Sequence, residues 1–195
     1  PPSRPPYSQP CRIRLETVVF ISLKGAAGNS FEDAKARIRA IMSAEAIRHS
    51  YLKNSDKLEE SEKKYLLKLM NCILEPMDIT DSLAILTSLL CKHYNRKVIL
   101  LVDEYDVPLD KAFLNGYYND MVGFIRTFLG GALKTNDNTE FAVVTGCLRI
   151  SKESIFTGLN NFSTFTITDD LFSQYFGFTD AEVKEMLDYY GVSDY

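Results

Sequence analysis

Several features that mark large classes of protein are missing from this sequence. It has no tryptophan, two histidines and four cysteines, with no C-x-x-C pair among them, so neither a disulfide framework nor a zinc site is supported. Its strongest apolar runs, residues 18–23 and 98–102, are far shorter than the roughly 20 residues that span a bilayer. The 22 basic and 26 acidic residues leave a net charge of −4, which argues against a broad nucleic-acid or anionic-membrane surface. We therefore expect a soluble, cytoplasmic protein.

Composition separates the first ten residues from the rest of the chain. Residues 1–10 hold five of the seven prolines and no aliphatic side chain, so we expect a disordered stub that carries no targeting signal. The sequence is 46% hydrophobic, which is enough to bury the core of one globular domain. We expect residues 11–195 to form that domain.

Strand and helix patterns alternate along this domain. The run at residues 98–102 is apolar at every position, which is typical of a strand covered on both faces of a parallel sheet. Apolar and β-branched runs also predict strands at residues 17–23, 141–145 and 164–168. Helical spacing predicts helices after Ser30, over 56–74, over 79–94, over 117–133 and from Thr179 to a stop at Gly191. The pattern predicts an α/β fold with a mostly parallel sheet, whose ligands gather at the carboxyl ends of the strands.

The strand at residues 98–102 runs directly into acidic residues. An apolar strand followed by Asp103 and Glu104 is a Walker B pattern, in which Asp103 at the strand tip would hold Mg²⁺ and Glu104 would polarise an attacking water. The alternative is that these acids begin a solvated loop or cap the turn before Pro108. Asp106 fits a turn residue better than a metal ligand.

A second polar segment follows the strand at residues 141–145. Thr145 would occupy a sensor position, and Lys152 would contact a nucleotide phosphate. Arg149 would face the charge that develops on the transferred phosphate. The alternatives are a surface cation for Arg149 and a capping hydroxyl for Ser151.

The sequence contains no standard phosphate loop. The motif G-x-x-x-x-G-K-[ST] needs a lysine after glycine, and none of the ten glycines is followed by one. The turn at residues 25–28 is a candidate substitute because it lies between a strand and a helix whose amino end could hold an anion. It lacks both the lysine and the G-x-G-x-x-G spacing, which disfavours this role.

Together these segments resemble the predicted AAA-ATPase-like proteins of bacteria, P-loop ATPase modules often followed by a restriction-endonuclease-like nuclease module. The resemblance covers most of the chain and is most specific over residues 98–109 and 145–161. It implies a three-layer, P-loop NTPase-like fold with Mg²⁺ and ATP as cofactors. It also implies that Asp103 and Glu104 match the family's Walker B pair.

The chain departs from this family where the phosphate loop would lie. Relatives carry a loop ending Gly-Lys-Ser upstream of the strand that is here residues 17–23, and they continue beyond Gly191. The strand leading into that loop lies in the middle of the sheet, so its loss is expected to expose apolar strand edges. We therefore expect an incomplete fold that holds the Walker B and sensor half of an ATPase module and is inactive alone.

Two other functions stay open at this point. The first is a degenerate module that no longer hydrolyses nucleotide and serves as a regulatory or protein-interaction scaffold. The second is a metal-dependent nuclease built on Asp103, Glu104 and Asp106, with Glu182-x-Lys184 as a superficially nuclease-like motif. The helical pattern around Glu182 and the acidic net charge disfavour the nuclease.

Overall fold

The computed structural model describes residues 17–74, 78–134, 136–147, 155, 163–166, 169, 171 and 177–192. It divides into two compact units, Pro1–Leu159 and Asn160–Tyr195. The elements of the first unit are, in chain order, β1 (Val18–Ser22), α1 (Phe31–Arg48), α2 (Glu60–Met70), α3 (Asp78–Tyr94), β2 (Val98–Asp103), α4 (Val107–Leu114), α5 (Tyr118–Leu133) and β3 (Thr139–Val144). The second unit contains α6 (Asp180–Tyr190). No helix in the described part of the chain is long and apolar enough to cross a bilayer.

The three strands form one parallel sheet in the order β1-β2-β3, which confirms the predicted α/β class. Val19 lies beside Leu100, and Leu100 lies beside Ala142 in the next strand. Helix α1 packs on β1, α3 on β2 and α5 on β3, while α3 and α5 also pack closely on each other. Right-handed connections that all step in the same direction bring their helices to one face of a sheet.

The two faces of the sheet differ in burial. Val19, Leu100 and Val102 are almost completely buried on one face. On the opposite face Phe20 lies beside Leu101, which lies beside Val143, and Phe20 and Val143 are 45% and 44% exposed. The prediction that residues 98–102 are covered on both faces is therefore wrong for the residues described. The reason is the common direction of the two crossovers, β1 to β2 and β2 to β3, which the sequence of a single strand does not reveal.

The two edge strands are also unlike. At the outer edge of β1 the Phe20 N–H donates to Glu45 Oε1 at 3.0 Å, and Arg48 Nη2 donates to the Val18 carbonyl at 2.7 Å. Side chains of α1 thus form hydrogen bonds with backbone groups at this edge, which protects the edge from pairing with another strand. Strand β3 forms the other edge of the described sheet and exposes Phe141 and Val143.

Helix α4 differs from the sequence-based expectation, which places no helix or strand between residues 102 and 117. Proline is compatible with the first turn of a helix, where its missing N–H would have no intrahelical partner, and Pro108 lies in that turn. The helix expected over residues 117–133 begins at Tyr118, with Tyr117 as its N-cap. A strand is expected at residues 164–168, but residues 164–166 are not in a strand. Residues 167 and 168 lie outside the described residues, as do residues 1–10.

Local capping signals agree with the structure at α1 and α6. Ser30 Oγ accepts the Asp33 N–H at 3.2 Å. Thr179 and Glu182 form a reciprocal capping box at the start of α6, and Gly191 ends that helix in the left-handed region. These bonds satisfy donors and acceptors that helix ends leave unpaired.

An ion-pair cluster joins α2 and α3. Lys92 Nζ lies 2.8 Å from Glu62 Oε2 and 3.7 Å from Glu59 Oε1. Burial by itself raises the pKa of Glu62, but the hydrogen bond from Lys92, the Glu59 backbone N–H and the Lys92 charge together lower that pKa below 4.5. The hydrogen bond to Glu62 raises the pKa of Lys92 above 10.5.

Candidate functional site

The carboxyl end of the sheet brings two of the predicted site residues together. Asp103 is the last residue of β2, the central strand, and lies beside Ser22 at the end of β1. Thr145 directly follows β3, and its Oγ1 donates to Asp103 Oδ1 at 2.5 Å. Thr145 is exposed and Asp103 is partly exposed. The pair is therefore accessible from solvent at the edge where parallel sheets place their ligands.

Backbone hydrogen bonds beyond the strand ends fix this pair. The Thr145 N–H donates to the Val102 carbonyl at 2.9 Å, and the Tyr105 N–H donates to the Thr145 carbonyl at 3.1 Å. Both backbone groups of Thr145 are thus bonded to the segment that carries Asp103. These bonds hold the backbone of Thr145 within reach of the Asp103 carboxylate.

Glu104 combines an unusual backbone with an unsatisfied side chain. Its φ is +56°, a conformation that costs a residue with a Cβ about 1–3 kcal/mol. Its Oε2 is buried and has no hydrogen-bond partner among the described residues. Such strain and unsatisfied polar atoms concentrate at functional sites, and both occur here at the predicted water-polarising residue.

Asp106 is a turn residue, as predicted, and its carbonyl accepts the Leu109 and Asp110 N–H groups at the start of α4. The sequence did not indicate its second contact. Asp106 is 3% exposed, and its Oδ2 accepts the Cys147 N–H at 3.0 Å from the segment after β3. An acid three residues beyond the strand tip is the only sequence signal for this link, because the partner is a backbone group 41 residues away.

The remaining predicted phosphate-side residues are not in the described part of the chain. Arg149 and Lys152 both lie outside it, as does Ser151. Their roles therefore stay predictions.

The acids of the nuclease hypothesis have other partners. Asp106 is bonded to the Cys147 N–H, and Glu182 Oε2 accepts the Thr179 N–H and hydroxyl at 2.8 and 2.9 Å. Among the described residues, no group of three or more His, Cys, Asp or Glu side chains is arranged to hold a metal. These contacts favour capping and turn-forming roles for Asp106 and Glu182.

The turn at residues 25–28 is occupied by the protein's own groups. Gly28 is buried, and its carbonyl accepts the Tyr117 hydroxyl at 2.6 Å. At the start of α1 the Asn29 N–H donates to Asp33 Oδ2, and the Asp33 N–H donates to Ser30. An anion would have to displace these bonds and approach the Asp33 carboxylate, so the structure disfavours a substitute phosphate site here.

The oxygen atoms at the tip of β2 fit a magnesium ion. Mg²⁺ prefers oxygen ligands and usually takes one or two carboxylates together with substrate phosphates and water. Asp103 offers a carboxylate at the strand tip, and the Thr145 hydroxyl bonded to it lies at the same point. This donor set suits Mg²⁺ better than a thiolate- or imidazole-binding metal.

A small parallel sheet with an acid pair at the tip of its central strand defines a mixed α/β chain of partial P-loop-like fold. The family model described as "Predicted AAA-ATPase" matches residues 13–156, and the chain therefore belongs to that AAA-ATPase-like family.

One curated relative and the solved structures were compared with the chain. It is 31% identical over 88 residues to the "Uncharacterized protein in vnfD 5'region" of Azotobacter chroococcum mcd 1. The match covers 45% of this chain and 17% of that relative, so the chain corresponds to a minor part of the relative's length. No solved structure matches.

Proposed function

We propose that this chain supplies the Walker B half of a Mg²⁺-dependent module that binds and hydrolyses ATP. The observation that carries the proposal is the Thr145 hydroxyl on the Asp103 carboxylate, 2.5 Å apart at the tip of the central strand. Asp103 would hold Mg²⁺, which would supply positive charge against the charge that develops on the phosphate.

Each residue of the site has a separate role in this proposal. Asp103 holds the metal and its waters, and Thr145 fixes the orientation of that carboxylate. Glu104, whose Oε2 has no hydrogen-bond partner among the described residues, accepts a hydrogen bond from the attacking water and orients it. Arg149 and Lys152 face the phosphates.

The phosphate cradle of the reaction must come from another polypeptide segment, because no glycine of this sequence precedes a lysine. The exposed sheet face around Phe20 and Val143 is a suitable surface for such a segment to cover. The resemblance to the family further predicts a nuclease module on the same longer chain. Residues 11–195 would then be a partial ATPase domain.

The second candidate function is a non-hydrolysing regulatory or protein-interaction scaffold. The same exposed face favours it, since a contiguous apolar patch marks an interaction site. The two candidates differ in whether Asp103 contributes to binding Mg-ATP.

Isothermal calorimetry of Mg-ATP with this chain, completed upstream with the family's phosphate loop, tests the proposal. We expect the protein to bind Mg-ATP and Asp103→Asn to bind it about ten-fold or more weakly, because the variant loses the charge that holds the metal. Asp110→Asn, on α4 and outside the site, is the matched control and leaves affinity unchanged. Equal affinities in Asp103→Asn and the unmutated completed chain would refute the role of Asp103, and no binding by the folded completed chain would favour the scaffold.

Glu104→Gln separates binding from hydrolysis. In a chain completed with the family's phosphate loop, it keeps the shape of the side chain and removes the base, so we expect unchanged Mg-ATP affinity and turnover slower by about 10²-fold or more. Turnover at the wild-type rate would contradict the proposed role of Glu104.

A further inference from the structure

The side chain of Asp106 is placed for a role that the Walker B pattern does not include. Asp106 precedes α4 in the N-cap position, where an aspartate normally accepts N–H groups of its own helix. Its side chain makes no such capping bond. It is 3% exposed and accepts the Cys147 N–H at 3.0 Å instead. A buried carboxylate requires a bond of this kind, and a charge-assisted one is strong.

This contact is the last of four that run between the same two segments. Val102 and Tyr105 hold both backbone groups of Thr145, and Asp103 accepts its hydroxyl. Asp106 then holds Cys147, two residues further along. The segment after β3 is therefore bonded on both sides of Gly146, and Thr145 lies between the strand ladder and the Asp106 bond.

Close packing at Gly146 makes the arrangement specific. A Cβ added to Gly146 would lie 2.7 Å from Asp106 Oδ1 and 2.7 Å from a ring carbon of Tyr105. Contacts under 3.0 Å require one partner to move. The backbone at Gly146 thus approaches Asp106 as closely as a residue without a side chain allows, and a larger residue would displace the carboxylate from the Cys147 N–H.

We propose that Asp106 is a positioning residue that holds residues 145–147 against the end of β2 and thereby keeps the Thr145 hydroxyl on Asp103. It contacts neither the metal nor the substrate and acts through Thr145 and Cys147. The inference rests on the proposed ATPase function for its catalytic consequence. Cys147 also directly precedes the stretch that contains Arg149 and Lys152, so Asp106 fixes the point from which that stretch departs.

Amide hydrogen exchange of Cys147, read by NMR on the whole chain, tests the contact without any nucleotide. We expect Asp106→Ala to accelerate exchange at Cys147 about ten-fold or more, because a charge-assisted hydrogen bond is lost. Asp106→Asn keeps an acceptor oxygen and should restore most of the protection. Asp110→Ala, also on α4, is the matched control and leaves Cys147 exchange unchanged.

The Mg-ATP affinity of the same variants, measured in the chain completed with the family's phosphate loop, tests the consequence. We expect Asp106→Ala to weaken binding several-fold, with a changed Thr145 amide shift, and Asp106→Asn to recover both. Unchanged Cys147 exchange in folded Asp106→Ala would overturn the proposal. Faster Cys147 exchange in an Asp106→Ala protein whose Thr145 amide shift and Mg-ATP affinity equal those of wild type would also overturn it.

A second substitution, at Gly146, tests the same contact. If Asp106→Ala does not fold, Gly146→Ala perturbs the same contact from the other side, with Gly130→Ala as control because nothing lies within 4 Å of its added Cβ. Gly146→Ala that leaves Cys147 exchange and the Thr145 shift unaltered would overturn the proposal. If the chain completed with the family's phosphate loop binds no Mg-ATP, the ATPase proposal fails, while Cys147 exchange and the Thr145 shift still decide whether Asp106 positions the segment.

Discussion

The turns after β1 and β2 leave the same end of the sheet, with Ser22 and Asp103 side by side, but they use their polar groups in opposite ways. In the first turn the Gly28 carbonyl is taken by Tyr117, and the amides at the start of α1 are taken by Ser30 and Asp33. In the second turn, residues 103–106, the acids at the strand tip have fewer internal partners.

The second turn stores strain that the first does not. Glu104 has a φ of +56° and a buried oxygen without a hydrogen-bond partner among the described residues, and Asp103 is partly exposed. A turn built only for stability satisfies its polar groups, whereas a turn that binds a ligand keeps some of them available. This difference assigns chemistry to the turn after β2 and a structural role to the turn after β1.

The largest effect is expected from closing the space at Gly28. A Cβ there would lie 2.5 Å from the Ala34 backbone nitrogen, in the first part of α1. Since backbone atoms cannot easily move aside, we expect Gly28→Ala to lower the free energy of unfolding by about 2 kcal/mol, measured by urea denaturation.

Gly25→Ala is the matched control for this substitution. It lies in the same turn, and nothing lies within 4 Å of its added Cβ, so we expect a change within about 0.5 kcal/mol. If both variants lost the same stability, the close approach of Gly28 to α1 would not be the reason. If Gly25→Ala instead abolished Mg-ATP binding, the turn after β1 would have the phosphate role that its hydrogen bonds disfavour.

At Glu104 we expect a substitution to raise the free energy of unfolding instead of lowering it. Replacing it by glycine removes the conflict between a Cβ and a positive φ, so we expect Glu104→Gly to raise the free energy of unfolding by about 1 kcal/mol while ATP turnover in the completed module is lost. A gain in stability with a loss of activity is the usual sign of a strained functional residue.

Asn95 provides the control for the backbone effect. Its φ is +52°, but asparagine tolerates this region better than glutamate does, so Asn95→Gly should change stability less. A clear loss of stability in Glu104→Gly would mean that the carboxylate supports the fold, and the contrast between the two turns would disappear.

Sequence reasoning succeeded where the signals are local. The capping box of Thr179 and Glu182, the stop at Gly191 and the acidic end of β2 all depend on residues within a few positions of one another. Each was predicted from the order of residue types alone.

The sequence did not predict features that depend on contacts between segments far apart in the chain. The partial exposure of Leu101 follows from the common direction of the crossovers, and the link between Asp106 and Cys147 spans 41 positions. Helix α4 was missed for a different reason, because Pro108 is compatible both with a loop and with a first helical turn.

The smallest effect is expected at Glu62, which lies on α2 and so belongs to neither turn. Its folded-state pKa lies below 4.5 because the pair with Lys92 outweighs burial, so its contribution to stability is full above pH 4.5 and is lost as the pH falls through the lowered pKa. Glu62→Gln should therefore be slightly less stable than wild type at pH 7, and the difference should shrink in acid.

Urea denaturation between pH 3 and pH 7 measures this difference directly. Glu60→Gln is the control, because the exposed Glu60 pairs with Lys63 on the same helix at 3.0 Å and does not join α2 to α3. A Glu62→Gln deficit that stayed constant down to pH 3 would exclude linkage to this carboxylate. If the Glu62→Gln deficit disappears in acid, the ion pair between α2 and α3 stabilises this fold. If Glu104→Gly at pH 7 still raises the free energy of unfolding, the turn after β2 does not stabilise it.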